Sequence, residues 1–318
     1  MPAEVGKVTS MLTQDQIDQF HRDGFLVVRN VIKGRELTLL QEAADQVEAD
    51  GIARNGNHHM YREIEGVDTY FRTEFMWEKN DIFRAVTVNP ALLAIAGQCI
   101  GHPFLPLNDS FVCKSPRSKV PVEWHQDPPY IDPSFQETYP VPHFDIDIYI
   151  DDSTIENACL WGIPGTHLVG HIDHKRFSEE EMFRDFGAVP LEMKAGDILL
   201  HTFSFLHGSA GNLSDKKRRI FYIYYGPKDA MEHCYSKWIP QKRGGYNEAG
   251  RQYVKQFIPL REKMGFDNPL SKSVVWNDET GFEFISSPKT PPRHWGKLAA
   301  AIPEEVKNRI RRMELIPQ

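Results

Sequence analysis

The segment His143-Phe144-Asp145-Ile146-Asp147-Ile148-Tyr149-Ile150 constrains the fold most. Phe144, Ile146, Ile148 and Ile150 alternate without a break with His143, Asp145, Asp147 and Tyr149. A period of two is the mark of a β-strand with two unlike faces, and the polar face reads as a solvated outer one. Similar short runs surround it. Asp109–Lys114 comes before, and Leu160–Pro164, Val189–Met193, Ile198–Phe203 and Arg219–Tyr225 come after. Gly, Pro and Asp turns separate them, as in Lys194-Ala195-Gly196-Asp197. Several short strands at this spacing predict a mainly β fold with flanking helices, its core a double-stranded β-helix of the jelly-roll, cupin-like kind.

Helical periodicity is confined to the first third. Thr13 stands as an N-cap before Gln14–His21, and Gly24 ends that helix before a strand over Phe25–Val28. Leu37, Leu39, Leu40, Ala43, Ala44 and Val47 share one helical face. Residues 81–98 are helical, with Pro90 starting a new helix. Residues 50–80 are polar and turn-rich, and read as a lid-like loop over a pocket. Arg219–Tyr225 is the last clear strand, and 228–318 has mixed helical character with many prolines and three tryptophans. We expect one domain over 1–318: N-terminal helices and lid (1–103), jelly-roll core (104–227) and a C-terminal extension packed on that core (228–318).

The 318 residues carry a net charge of −7, which argues against a general nucleic-acid surface. Cys99, Cys113, Cys159 and Cys234 form no CxxC pair and no disulfide pattern. The first residues lack the apolar stretch of a signal peptide, and no apolar run reaches the roughly 20 residues that span a bilayer. The expected setting is the cytoplasm, without membrane or nucleic acid, for a monomer or homodimer.

The chemistry rests on histidine and aspartate. Chance supplies about one His-x-Asp triplet in such a chain, and here there are four: His21/Asp23, His125/Asp127, His143/Asp145 and His171/Asp173. The first ends a helix, the third shares the face with Asp147 and Tyr149, and the fourth lies in a polar loop. His125 and Asp127 follow Trp124 on an extended run that Pro128-Pro129 stops. Two residues apart on a strand, they project to one side. A second histidine would complete a two-His-one-carboxylate triad, which suits non-haem Fe(II) and leaves coordination positions open. His207, 82 residues on, follows an apolar run and opens into a Gly-rich turn. His201 is the rival and reads as a packed or supporting residue.

At these residues the chain resembles the phytanoyl-CoA dioxygenase family of Fe(II)/2-oxoglutarate-dependent oxygenases. Three segments carry the resemblance: Gln19–Val28; Trp124–Asp127 with Glu156–Leu160 and Ile163–His167; and Gly196-Asp197 with His207–Ser209, Asn212 and Arg218. Ala158 replaces the family's usual glycine and Thr166 its usual serine. The resemblance covers about residues 14–226 and says nothing of the tail. It implies His125, Asp127 and His207 as iron ligands, 2-oxoglutarate and O2 as co-substrates, and Arg218 on the distal carboxylate of 2-oxoglutarate. A planar guanidinium makes a bidentate clamp on a carboxylate. Arg219, one residue along, would face the other way. Ser209 is a helper for the same carboxylate. Asn108, Lys114, Tyr130, Phe75 and Trp77 are candidate substrate contacts, with a structural role weighing more for Asn108 and Lys114. The implied reaction is hydroxylation of a small organic molecule with release of succinate and CO2. Related iron halogenases lack the carboxylate of Asp127, so its presence points to a halide-free oxidation. The alternatives are desaturation, epoxidation or rearrangement with the same cofactors, or a non-catalytic jelly-roll binding module.

Overall fold

Thr13 does cap the first helix. Its side chain accepts from the Gln16 N–H, and the Gln16 side chain returns a bond to the Thr13 N–H, the reciprocal box that satisfies two otherwise unpaired donors. The helix α1 (Gln14–Asp23) ends on Gly24 at φ 82°, a left-handed position that glycine takes without strain. The computed structural model describes residues 12–127, 144–168, 172–228 and 248–285, together with 304 and 308.

After β1 (Phe25–Val28) come α2 (Gly34–Ala53), the hairpin β2 (His59–Ile64) and β3 (Val67–Glu74), then α3 (Asp81–Thr87) and α4 (Pro90–Ile100). The strands β4 (Phe104–Lys114), β5 (Val122–His125), β6 (Phe144–Tyr149), β7 (Leu160–Gly162), β8 (Val189–Leu191), β9 (Ile198–Thr202), β10 (His207–Ser209) and β11 (Arg218–Pro227) follow. The described part of the tail holds α5 (Glu248–Lys255), α6 (Phe257–Lys263), β12 (Val274–Asn277) and β13 (Gly281–Phe284).

Two antiparallel sheets result, as the jelly-roll expectation requires. The larger runs β1-β9-β6-β11-β4-β13-β12, with β3 also joined to β4, and the smaller runs β5-β10-β7-β8. Phe144, Ile146 and Ile148 of β6 pack with Leu40, Phe83 and Leu92 of the helices in the main apolar core. Tyr149 of β6, Leu199 of β9 and Ile220 of β11 pack instead with Leu160, Leu191 and Phe205. The large sheet therefore has helices on one face and the small sheet on the other.

Three expectations are corrected by this packing. The polar face of β6 is not solvated: Asp145, Asp147 and Tyr149 are all buried, because the small sheet covers them. Residues 50–80 are not a loop: β2 and β3 form a hairpin, and Arg72, Thr73 and Glu74 pair with β4. The last strand is not β11: the β12–β13 hairpin extends the large sheet through Phe282, which pairs with Phe104. No single described helix is long and apolar enough to cross a membrane, and the apolar α3–α4 pair is bent by 43°.

A buried polar knot ties the tail to the body. Arg261 of α6, 2% exposed, binds both carboxylate oxygens of Glu36, with the Ala85 carbonyl at 3.0 Å. Asn89, the cap of α4, donates to the same Glu36 at 2.9 Å. Removing one partner leaves the other charge buried and unpaired. Arg261→Ala should lower unfolding free energy by about 3–5 kcal/mol in urea denaturation; unchanged stability would mean that the tail is not anchored here.

Candidate metal centre

The small sheet brings the two histidines together. β5 and β10 run antiparallel with His207 directly opposite His125, and the ring centres are 4.3 Å apart. Each Nδ1 lies 2.8 Å from a carbonyl two residues earlier in the chain, Glu123 for His125 and Phe205 for His207. A carbonyl only accepts, so Nδ1 carries the proton and each Nε2 is left with a lone pair for a metal. The strand ends at His125, so Asp127 enters from just beyond it rather than from the strand itself. Its Oδ1 stands 3.6 Å from His125 Nε2. Ligand atoms of His125, Asp127 and His207 all lie within 4.8 Å of one another.

The charges suit a cation. Burial alone would raise Asp127, but His125 above all, with the nearby His207 and His201, holds its carboxyl well below the usual range. Burial, and then the charge of His125, push His207 down to about 3, so its imidazole is neutral at ordinary pH. Burial also works to lower His125, but Asp127 outweighs it and holds it above the ordinary value. A second group, Asp127, Asp145 and His201, also meets the ligand spacing and shares Asp127 with the first. His201 is thus beside the centre, its ring 4.7 Å from that of His207. Asp145, set aside at sequence level with the supposed outer face, belongs to the site.

The triad opens into a cavity of about 410 Å³ between the sheets. Arg218 and Arg219 settle on opposite sides of β11. Arg219 binds Asp151 through two bonds of 2.8 and 2.9 Å and Asp45 at 2.6 Å, away from the cavity. Arg218 lines the cavity with Ile220 and Tyr222. It is 1% exposed, its Nη2 is 3.4 Å from Ser209 Oγ, and its Nε and Nη1 have no hydrogen-bond partner. Leaving guanidinium donors buried and unmet costs several kcal/mol, and a carboxylate seated against this guanidinium would relieve that cost. The Tyr149 hydroxyl is also buried and unpartnered.

The remaining candidates fare differently. Lys114 pairs across strands with Arg218, but its Nζ binds the carbonyls of Ser209 (3.4 Å) and Ala210, so it braces the end of β10. Trp77 is a core residue: its ring meets Phe257 at 5.2 Å, and its Nε1 donates to Thr87. The Phe75 ring packs on His58 at 4.7 Å. Neither Phe75 nor Trp77 is among the described residues lining the cavity, and Phe71, Arg72 and Arg62 of the β2–β3 hairpin stand there instead. Asn108 lies on β4 with its side chain undescribed, and Tyr130 falls outside the described residues.

Close approach fixes the frame. A Cβ on Gly162, which pairs with His207, would fall 2.0 Å from Phe205 Cζ. Phe205 is the residue whose carbonyl orients His207. Gly162→Ala should therefore cost about 1–3 kcal/mol of unfolding free energy, as overpacking does; an unshifted denaturation midpoint would show that Phe205 is not locked in place.

Comparison with known proteins follows the same lines. A model of the phytanoyl-CoA dioxygenase family matches residues 20–220. The chain is 24% identical over 281 residues to a phytanoyl-CoA dioxygenase of Arabidopsis thaliana, covering 74% of this chain and 96% of that one. It is 24% identical over 221 residues to a methylphosphonate hydroxylase of Gimesia maris, covering 69% and 82%. The crystal structure of EctD from S. alaskensis with 2-oxoglutarate and 5-hydroxyectoine matches with a TM-score of 0.58 at 19% identity, covering 71% of this chain and 80% of that one, a likeness of fold.

Proposed function

The chain belongs to the phytanoyl-CoA dioxygenase family, and from that premise we propose that it is a single-domain iron- and 2-oxoglutarate-dependent hydroxylase of a small organic molecule, releasing succinate and CO2. The observation that carries this reading is the buried Arg218 with two unmet donors, in the same cavity as a two-His-one-Asp cluster. A non-catalytic jelly roll has no need of either.

In this reading His125, Asp127 and His207 hold Fe(II), and Arg218 with Ser209 holds the distal carboxylate of 2-oxoglutarate. Bound iron supplies the activation of O2 for substrate oxidation. The protein's own residues do the rest. The carbonyls of Glu123 and Phe205 keep both imidazoles turned with Nε2 towards the metal position. Asp127 stays ionised, which lends negative charge to the centre without a proton to lose. Leu160 and Ile220 line the same cavity and keep water from the co-substrate's carbon chain. Arg218 fixes the direction in which that chain lies.

Two tests follow. Asp127→Ala should fold and lose Fe(II)-dependent conversion of 2-oxoglutarate to succinate by more than about 100-fold. Arg218→Met should raise the KM for 2-oxoglutarate by about 10- to 100-fold, the loss of a charge-assisted clamp. Wild-type behaviour of either variant refutes the assignment of that residue. Proton competition gives a further test. His125 must shed its proton to bind metal, and its pKa is raised, so Mn(II) affinity should fall on acidification from a midpoint above the ordinary imidazole value of about 6.5. Affinity independent of pH from 5 to 8 would contradict this.

A further inference from the structure

The wall of the cavity beside the proposed iron ligands is acidic, and neither the triad nor Arg218 accounts for it. β6 and β9 place Asp145 opposite His201, and Asp147 lies on the same face two residues along. His201 Nε2 stands 3.4 Å from Asp147 Oδ1 and 3.8 Å from Asp145 Oδ2, and its Nδ1 is 3.8 Å from Asp127 Oδ2. Asp145 is 2% exposed and His201 4%. Asp145 Oδ1 and His201 Nδ1 have no hydrogen-bond partner, and both residues line the cavity. Arg72, a cation of the same cavity, is engaged by Glu74 and by Ser110 at 3.2 Å.

An alkyl chain laid on this wall would leave Asp145 desolvated and unmet, which is costly. A donor arriving with the substrate removes that cost and fixes orientation at the same time. We propose that Asp145 and His201 form a substrate subsite beside the metal centre that takes a hydrogen-bond-donating group, an ammonium or a hydroxyl. The substrate held there is polar near the carbon that reacts, not a plain hydrocarbon chain. The subsite rests on the reading of His125, Asp127 and His207 as the iron ligands.

The test is calorimetry on the full chain loaded with Mn(II) and saturated with 2-oxoglutarate, using three four-carbon probes: 1,4-diaminobutane, 1,4-butanediol and butyrate. The diamine or the diol should bind at least about tenfold more tightly than butyrate. Asp145→Leu should abolish that preference, with its folded state checked independently by circular dichroism and thermal unfolding. Asp145→Asn separates the two donors: it keeps an acceptor oxygen for the diol but cannot ionise against the diamine as a carboxyl can. The subsite is overturned if butyrate binds as well as both others, if none of the three binds, or if Asp145→Leu changes nothing. It is also overturned if wild type binds two Mn(II) ions and Asp145→Leu one, because a second cation then meets the open oxygen. Failure of wild type to bind one Mn(II) and one 2-oxoglutarate is a different result, and overturns the iron reading together with the subsite built on it.

Discussion

The pairing of β5 with β10 is the constraint on which the site depends. It sets His125 against His207 with their ring centres 4.3 Å apart, although 82 residues separate them in the chain. A one-residue slip would turn one imidazole to the opposite face of the sheet. The register is held from behind by Gly162, which has no room for a side chain against Phe205, and by Gly208, whose Cβ would fall 3.1 Å from Trp124. Two backbone carbonyls then turn the rings. The clustering of the two imidazoles is thus a product of sheet geometry before it is a product of their chemistry.

The large sheet supplies what the small one faces. Along β6 and β11 the side chains alternate between a helix-covered core and the cavity, so adjacent residues have unlike fates. Arg219 closes an ion-pair cluster with Asp45 and Asp151, while Arg218 is left with open donors. Asp145 and Asp147 face the cavity, while Ile146 and Ile148 fill the core. Open donors and open acceptors of the one cavity are therefore written along adjacent strands, Arg218 on β11 and Asp145 on β6.

Much of this was legible in the sequence where local rules decide the outcome. The Thr13 cap, the Gly24 stop, the restart at Pro90 and the strands of the core follow from capping chemistry and periodicity. The choice of Arg218 over Arg219 rests on the family resemblance, and the period of two then turns Arg219 the other way. What was missed required knowledge of the covering layer. The alternation in β6 shows that its faces differ, but not that a second sheet buries the polar one. Trp77 and Phe75 were drawn to the pocket by aromatic composition, which is the same in a core and in a cavity wall. The strands β12 and β13 are four residues each, too short for periodicity to separate from turn-rich chain.

The central claim is that iron sits on His125, Asp127 and His207 and faces a co-substrate on Arg218. Among the described residues the shared Asp127 leaves one physical competitor, the group of Asp127, Asp145 and His201. Crystals grown with Mn(II) and 2-oxoglutarate, examined by anomalous diffraction at the manganese edge, decide between them. The expected result is one ion bound by His125, Asp127 and His207, with a 2-oxoglutarate carboxylate on the guanidinium of Arg218. An ion on Asp145 and His201, or 2-oxoglutarate away from Arg218, would contradict it.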